Sequence, residues 1–273
     1  MSTRPVIACL LVALSVGLGA CKSQFEKVRT SGDTEKILEA ADAYYAEGKF
    51  DKAQTLYQIV VTSLRADPRV QDVLYRYADT YFQTGDYFSA AAYFRNYADN
   101  YKAADNRQEA LYMEAVSYVK QSPDFRLEQS NTEKAIEALE AFVNLYPETE
   151  RLDEINGTLD ELRVKQETKA YDAARLYFDM KQYQAAVQAF ERVLQDYPDT
   201  DRAEEIRWRI VESYVRLADN SVIAKRRERY DLALDAADLY LKKYPTGEHA
   251  RVATLERDRI RELLKTSTDY VGY

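Results

Sequence analysis

Histidine and tryptophan each occur once in the 273 residues, cysteine twice, and glycine and proline supply only 8 and 6. With His249 alone, neither a histidine metal cluster nor a histidine-assisted nucleophile can be assembled within the chain. Cys9 lies in the apolar N-terminal run, which leaves Cys21 without a partner for a disulfide or a thiolate site. No glycine-rich phosphate loop occurs. Basic residues are outnumbered, 38 against 46 acidic, which argues against a nucleic-acid footprint. Acid pairs such as Asp153-Glu154 and Glu204-Glu205 read as solvated helix faces with arginines at helical spacing. Together these absences argue against an enzyme, a metal or a cofactor. Downstream of the first 20 residues no apolar run is long enough to span a bilayer.

Those first 20 residues have the parts of a secretory signal: Arg4, an apolar stretch from Val6 to Leu18, then Gly19 and Ala20 before a cut. Leu18-Gly19-Ala20-Cys21 resembles the bacterial lipobox, in which the cysteine is acylated and becomes the mature N-terminus. Several acyl chains anchor stably, because each buried methylene contributes about 0.8 kcal/mol. Lys22 stands where an aspartate would favour retention at the inner membrane, so the resemblance points to the outer one.

What is abundant is tyrosine, 23 of it, in a chain rich in alanine, leucine, glutamate and arginine. Three segments look alike: "NLYPETE" from Asn144, "QDYPDTD" from Gln195 and "KKYPTGE" from Lys242. Counting back from each proline gives alanine, a residue four later, then the proline eight beyond it. Ala135-Leu139-Pro147 and Ala186-Phe190-Pro198 fit, and Ala233-Ala237-Pro245 keeps the spacing. Ala53-Tyr57 and Ala90-Phe94 match the first half and follow the turns "AEGKFDKA" and "QTGDYFSA". This is the tetratricopeptide signature, with small residues where paired helices approach.

First helices carry a tyrosine at matching places, Tyr44, Tyr81, Tyr118, Tyr177 and Tyr214, spaced 37, 37, 59 and 37 residues apart. Two insertions read as loops, "KQSPDFRLEQSN" from Lys120 and "ADNSVIAKRRER" from Ala218, while the segment between Pro147 and Lys181 reads as one long helix of about eight turns, interrupted only at Asn156-Gly157. The expected fold is all-α, a solenoid of about five helix pairs with the long helix between the third and fourth repeats. The expected organisation is a lipoprotein signal over 1–20, a lipidated flexible tether over 21–33, repeats one to three over 34–148, and the long helix with repeats four and five over 149–273.

A second aromatic series runs beside the first. Six residues before the matching tyrosines stand Leu38, Tyr75, Tyr112, Tyr171 and Trp208, and one residue after them Tyr45, Phe82, Val119, Phe178 and Val215. Seven apart on a helix, these pairs share a face, with Asp42, Asp79, Val116, Arg175 and Glu212 between them. That face lines the concave groove of a tetratricopeptide array, and rings supply contact area to a peptide at low entropy cost. Filling space between neighbouring repeats is the competing reading. The basic run Lys225-Arg226-Arg227-Glu228-Arg229 reads as a loop tip, solvated or docking an acidic surface or anionic lipid.

A lipobox followed by five such repeats, the later ones with Tyr-Pro boundaries, resembles the BamD family, tetratricopeptide lipoproteins of the outer-membrane β-barrel assembly machinery. The most specific pieces are "DYPDT" at Asp196–Thr200 and the long helix before it, and "RERYDLAL" from Arg227 is similar to Bacteroidetes-type members. The resemblance implies a non-catalytic scaffold, lipid-anchored through Cys21 to the outer membrane and facing the periplasm. It implies docking through the C-terminal repeats onto a POTRA domain of the barrel protein BamA. It further implies that the N-terminal repeats receive the C-terminal strands of unfolded outer-membrane proteins, and it implies no nucleic acid. Carried onto this sequence, the strand surface is Tyr45, Tyr75, Phe82 and Tyr112, and the docking surface is Asp199, Asp201, Arg202 and Trp208. Gln195 departs from relatives that carry arginine before "DYPDT", so no salt bridge transfers there. A secretin pilotin and a SusD-like glycan-uptake lipoprotein remain alternatives on the same scaffold.

Overall fold

Alanine decides where the helices meet. The five alanines expected at helix crossings, Ala53, Ala90, Ala135, Ala186 and Ala233, are all fully buried. A side chain of one methyl lets two helix backbones approach, and a larger one there would cost about 1–3 kcal/mol of overpacking. The computed structural model describes residues 23–266, so Cys21 and the signal segment lie outside the described residues. Twelve helices occur among them: α1 Gln24–Arg29, α2 Thr34–Ala46, α3 Phe50–Ser63, α4 Val70–Gln83, α5 Tyr87–Asn100 and α6 Arg107–Gln121. Then follow α7 Ser130–Leu145, α8 Leu152–Asp179, α9 Tyr183–Asp196, α10 Ala203–Asp219, α11 Ile223–Lys243 and α12 Ala250–Thr266. From α2 to α11 they form five tetratricopeptide helix pairs, and α12 packs on α11. The expected long helix is α8, whose 28 residues run through Asn156-Gly157. A single glycine costs a helix only about 1 kcal/mol.

The chain divides into two compact units. The first comprises the described residues through Ser122 together with Ser130–Leu152. The second comprises Pro123–Gln129 and the residues from Asp153 onward. In the first unit the turns between paired helices are closed by Gly48 (φ +71) and Gly85 (φ +82), 37 residues apart. The side chain of Asp86 caps α5, accepting from the Ser89 backbone N–H at 3.1 Å. In the second unit Lys181 holds the same left-handed conformation, φ 61, between α8 and α9. Lysine adopts it against steric resistance that glycine does not meet.

Neighbouring repeats of the first unit are stitched by side chains 34 residues apart. Arg69 meets Glu35 at 2.9 Å, Arg76 meets Asp42 at 2.8 Å, and the Tyr45 hydroxyl donates to Asp79 at 2.5 Å. Gln121 Nε2 likewise donates to the Tyr87 carbonyl at 3.0 Å. The repeat is 37 residues, so each partner sits one helical turn before the equivalent position in the next repeat. In the second unit the Tyr171 hydroxyl donates to Glu205 at 2.5 Å with the same separation.

Two expectations are corrected here. The segment 21–33, read as a flexible tether, contains α1, because Phe25 and Val28 find an apolar seat on the first core. The Phe25 ring lies 5.8 Å from that of Tyr44, edge to face. The segment read as a loop from Ala218 is helical on both sides of a short turn at Asn220–Val222, and the basic run lies in the opening turns of α11. The insertion lengthens a helix instead of forming a loop, since alanine, lysine, arginine and glutamate are strong helix formers.

Candidate functional site

All four residues expected to receive a strand lie in the first unit and are half-buried. Tyr45 and Phe82 sit at the ends of α2 and α4, where each ring packs on the first residue of the following helix. The Tyr45–Phe50 and Phe82–Tyr87 centroids are 5.6 and 5.2 Å apart, with interplanar angles of 77° and 66°. Phe178 and Tyr183 repeat this arrangement at 5.5 Å in the second unit. This member of the series therefore closes the hinge of its own helix pair. Tyr75 and Tyr112 lean on the second helix of their repeats, Tyr75 at 5.7 Å from both Phe94 and Tyr97, Tyr112 at 5.6 Å from Phe142. Packing within each repeat thus takes one side of every ring.

The polar groups between the rings hold them in place. Asp42 accepts from the Tyr57 hydroxyl at 2.7 Å and from Arg76 Nη1 at 2.8 Å, while Asp79 accepts from Tyr45 and from Gln83 Nε2 at 3.2 Å. Glu109 takes Arg151 through two bonds, 2.6 and 3.2 Å, and that guanidinium stands 4.2 Å over the Tyr112 ring. Burial, then the Asp79 carboxylate, pushes the Tyr45 hydroxyl well above its usual range. Burial and then Asp42 do the same to Tyr57, and burial followed by Glu109 and Asp79 to Tyr75. These hydroxyls keep their protons and remain donors at neutral pH. Neither Arg76 nor Arg151 stands at a repeat position that the sequence marks, and their separations from Asp42 and Glu109 differ, 34 against 42 residues, because the third repeat is long.

The residues expected to dock a partner divide. Asp199 and Asp201 are exposed on the turn between α9 and α10. Thr200 between them is buried and donates to Glu167 Oε1 at 2.6 Å, and it accepts from the Arg202 backbone N–H at 3.0 Å. Arg202 lies half-buried with its guanidinium 5.0 Å over Tyr171. Trp208 is a correction: its side chain is core, 9 % exposed, stacked on His249 at 5.1 Å and edge-on to Tyr240 at 6.2 Å. It is sealed because α12 and the turn before it follow the fifth repeat, and the half-buried His249 supplies the covering ring. The second unit also has a cavity of about 400 Å³ between α9, α10 and α11, with Leu194, Ile210, Tyr214, Leu232 and Leu239 in its wall. No metal-holding group of His, Cys, Asp or Glu occurs among the described residues, and no helix there is long and apolar enough to cross a membrane.

The family model described as "YfiO: Outer membrane lipoprotein" matches residues 30–229. Two curated relatives are named outer membrane protein assembly factor BamD. The one from Caulobacter vibrioides is 30 % identical over 113 residues, 41 % of this chain and 37 % of that protein. The one from Rickettsia prowazekii is 29 % identical over 108 residues, 40 % of this chain and 43 % of that protein. The match therefore spans about two fifths of these relatives' length. Solved structures with some likeness include a tetratricopeptide repeat protein from Parabacteroides merdae, 15 % identical with a TM-score of 0.35, covering 85 % of this chain and 73 % of that one. Another is the TPR2AB domain of yeast Sti1 in its pHSP90 complex, 17 % identical with a TM-score of 0.40, covering 84 % of this chain and 98 % of that one.

Proposed function

The chain belongs to the YfiO family of outer membrane lipoproteins, and on that premise we propose that it is a non-catalytic scaffold for the assembly of outer-membrane β-barrel proteins. Cys21 carries the lipid and places the helical repeats at the periplasmic face of the outer membrane. The first unit receives the C-terminal strands of unfolded barrel proteins, and the second docks on a POTRA domain of a BamA-type barrel. The assembly role rests on the family match and on the printed names of the two relatives.

The observation that carries the strand-binding part is the row of half-buried rings Tyr45, Tyr75, Phe82 and Tyr112, with Tyr45 held by Asp79, Tyr112 under Arg151, and Tyr75 and Phe82 packed on the second helix of their repeat. Such rings are already ordered, so a peptide loses little of its binding energy to their immobilisation. For docking, burial of Trp208 leaves Asp199 and Asp201, an acidic pair on a turn stiffened by Thr200, as the exposed contact for a basic surface.

The test uses a peptide copied from the last strand of a barrel protein. Tyr75→Ala with Phe82→Ala is expected to weaken its binding at least tenfold, with the helical signal retained. Asp199→Lys with Asp201→Lys is expected to leave peptide binding alone and to reduce recovery of a POTRA-bearing barrel protein. Unchanged peptide binding in the first variant would make the rings packing only and remove the strand site.

A further inference from the structure

The basic run of α11 carries four cations around a single acid, Glu228. Among the described residues no ion pair within 4 Å involves Lys225, Arg226, Arg227 or Arg229. In the neighbouring α12, by contrast, Arg257, Arg259, Arg261 and Lys265 are all paired. Instead, Arg226 Nε donates to the Ser221 carbonyl at 2.8 Å, Arg229 to the Ser221 hydroxyl, and Arg227 to the Leu264 carbonyl at 3.4 Å. Each guanidinium keeps further donors turned to solvent, because it has five N–H groups. The cations also stand at the end of the helix where the backbone dipole disfavours positive charge. Their charge does not serve the stability of α11.

Beside them stand the two most exposed large aliphatic side chains among the described residues of the second unit, Val222 at 69 % and Ile223 at 85 %. Ile223, Arg226 and Arg227 are at i, i+3 and i+4 and share one face of the helix. Exposure of this degree means that the pair protrudes. A protruding apolar pair ringed by unpaired cations suits a fluid boundary between headgroups and acyl chains, where no preformed pocket is needed. An acidic protein surface would match the charges and leave Val222 and Ile223 in water.

We propose that this tip is a second membrane contact: Val222 and Ile223 enter the interfacial layer of an anionic bilayer while Lys225, Arg226 and Arg227 bind lipid phosphates. The inference rests on the membrane residence argued under the proposed function, and it fixes the orientation of the second unit towards the bilayer. Each cation near an anionic surface adds about fivefold to partitioning, so reversing three of them is expected to lower it at least a hundredfold at low salt. The effect should shrink as salt shortens the Debye length.

The test reconstitutes the full chain, Ile223→Cys labelled with an environment-sensitive fluorophore, into vesicles. One set is phosphatidylcholine alone and the other about one third phosphatidylglycerol. Flotation reads anchorage and the emission of the label reads the tip. A blue shift with phosphatidylglycerol, reversed by Lys225→Glu, Arg226→Glu and Arg227→Glu with flotation intact, is the expected result. Aqueous emission in both vesicles with flotation intact overturns the tip and leaves the anchor standing. A shift in phosphatidylglycerol vesicles when flotation on phosphatidylcholine fails supports the tip and sinks the anchor, and absence of both signals overturns both. A shift that persists in the triple variant refutes the role of the cations.

Discussion

Replacing Asp42 isolates one buried hydroxyl. Tyr57 is fully buried and its hydroxyl donates to Asp42 at 2.7 Å, while the same carboxylate oxygen accepts from Arg76 at 2.8 Å. Asp42→Ala strands that hydroxyl, and an unsatisfied buried donor costs about 1–3 kcal/mol. Arg76 loses little, because its side chain is 42 % exposed and can turn to water. Tyr57→Phe removes the donor and leaves Asp42 paired with Arg76, at a cost of about 1 kcal/mol. The double variant lacks both partners, so its cost should fall short of the sum of the single costs by about 1–2 kcal/mol. Urea unfolding followed by circular dichroism measures all four proteins, with equal slopes checking that the comparison is fair. Strictly additive costs would refute the claim that this carboxylate satisfies Tyr57.

Other consequences are testable on the same footing. Lys181→Gly should stabilise the second unit by roughly 0.5–1 kcal/mol in thermal melts, the relief of a left-handed lysine less the extra freedom of unfolded glycine, and the reverse change Gly85→Lys should cost about 1 kcal/mol. The folded-state pKa of Tyr57 is raised, so its contribution to stability is intact below the unfolded value near 10 and is lost as pH climbs towards the folded value. Stability of the first unit should accordingly be flat from pH 7 to about 9 and then fall by about 1.4 kcal/mol per pH unit for this tyrosine alone, a slope that Tyr57→Phe should reduce. Trp208→Ala should destabilise the second unit by about 3–5 kcal/mol, as removal of a buried aromatic does. Asp199→Lys on its exposed turn should leave the melting temperature unchanged, so that any loss of partner recovery there reports contact.

Much of the fold could be read from the chain because its physical causes are local and periodic. A small residue at each crossing lets two helices approach, and the alanine spacing therefore marks Ala53, Ala90, Ala135, Ala186 and Ala233. The 28 residues of α8 could be read for the same reason, as continuous helical periodicity without a proline. At Ala218 the excess over the repeat spacing looks like a loop insertion, yet its residues favour helix and extend α10 and α11. Nor do the matching tyrosines share one burial: Tyr177 is 41 % exposed, whereas Tyr44, Tyr81, Tyr118 and Tyr214 are half-buried.

The sequence by itself determined the helix pairs, their number and the residues at their crossings, since each depends on spacing within about 40 residues. Tertiary structure alone decided which members of the aromatic series keep an open side. Tyr75 and Trp208 hold equivalent positions, but Trp208 is sealed by His249 and Tyr240 from the segment that follows its repeat, whereas Tyr75 stays half-open. It also decided that Asp42 and Asp79 are hydrogen-bond acceptors for tyrosines rather than free groove charges. Burial is a property of what packs over a residue, and what packs there comes from distant parts of the chain.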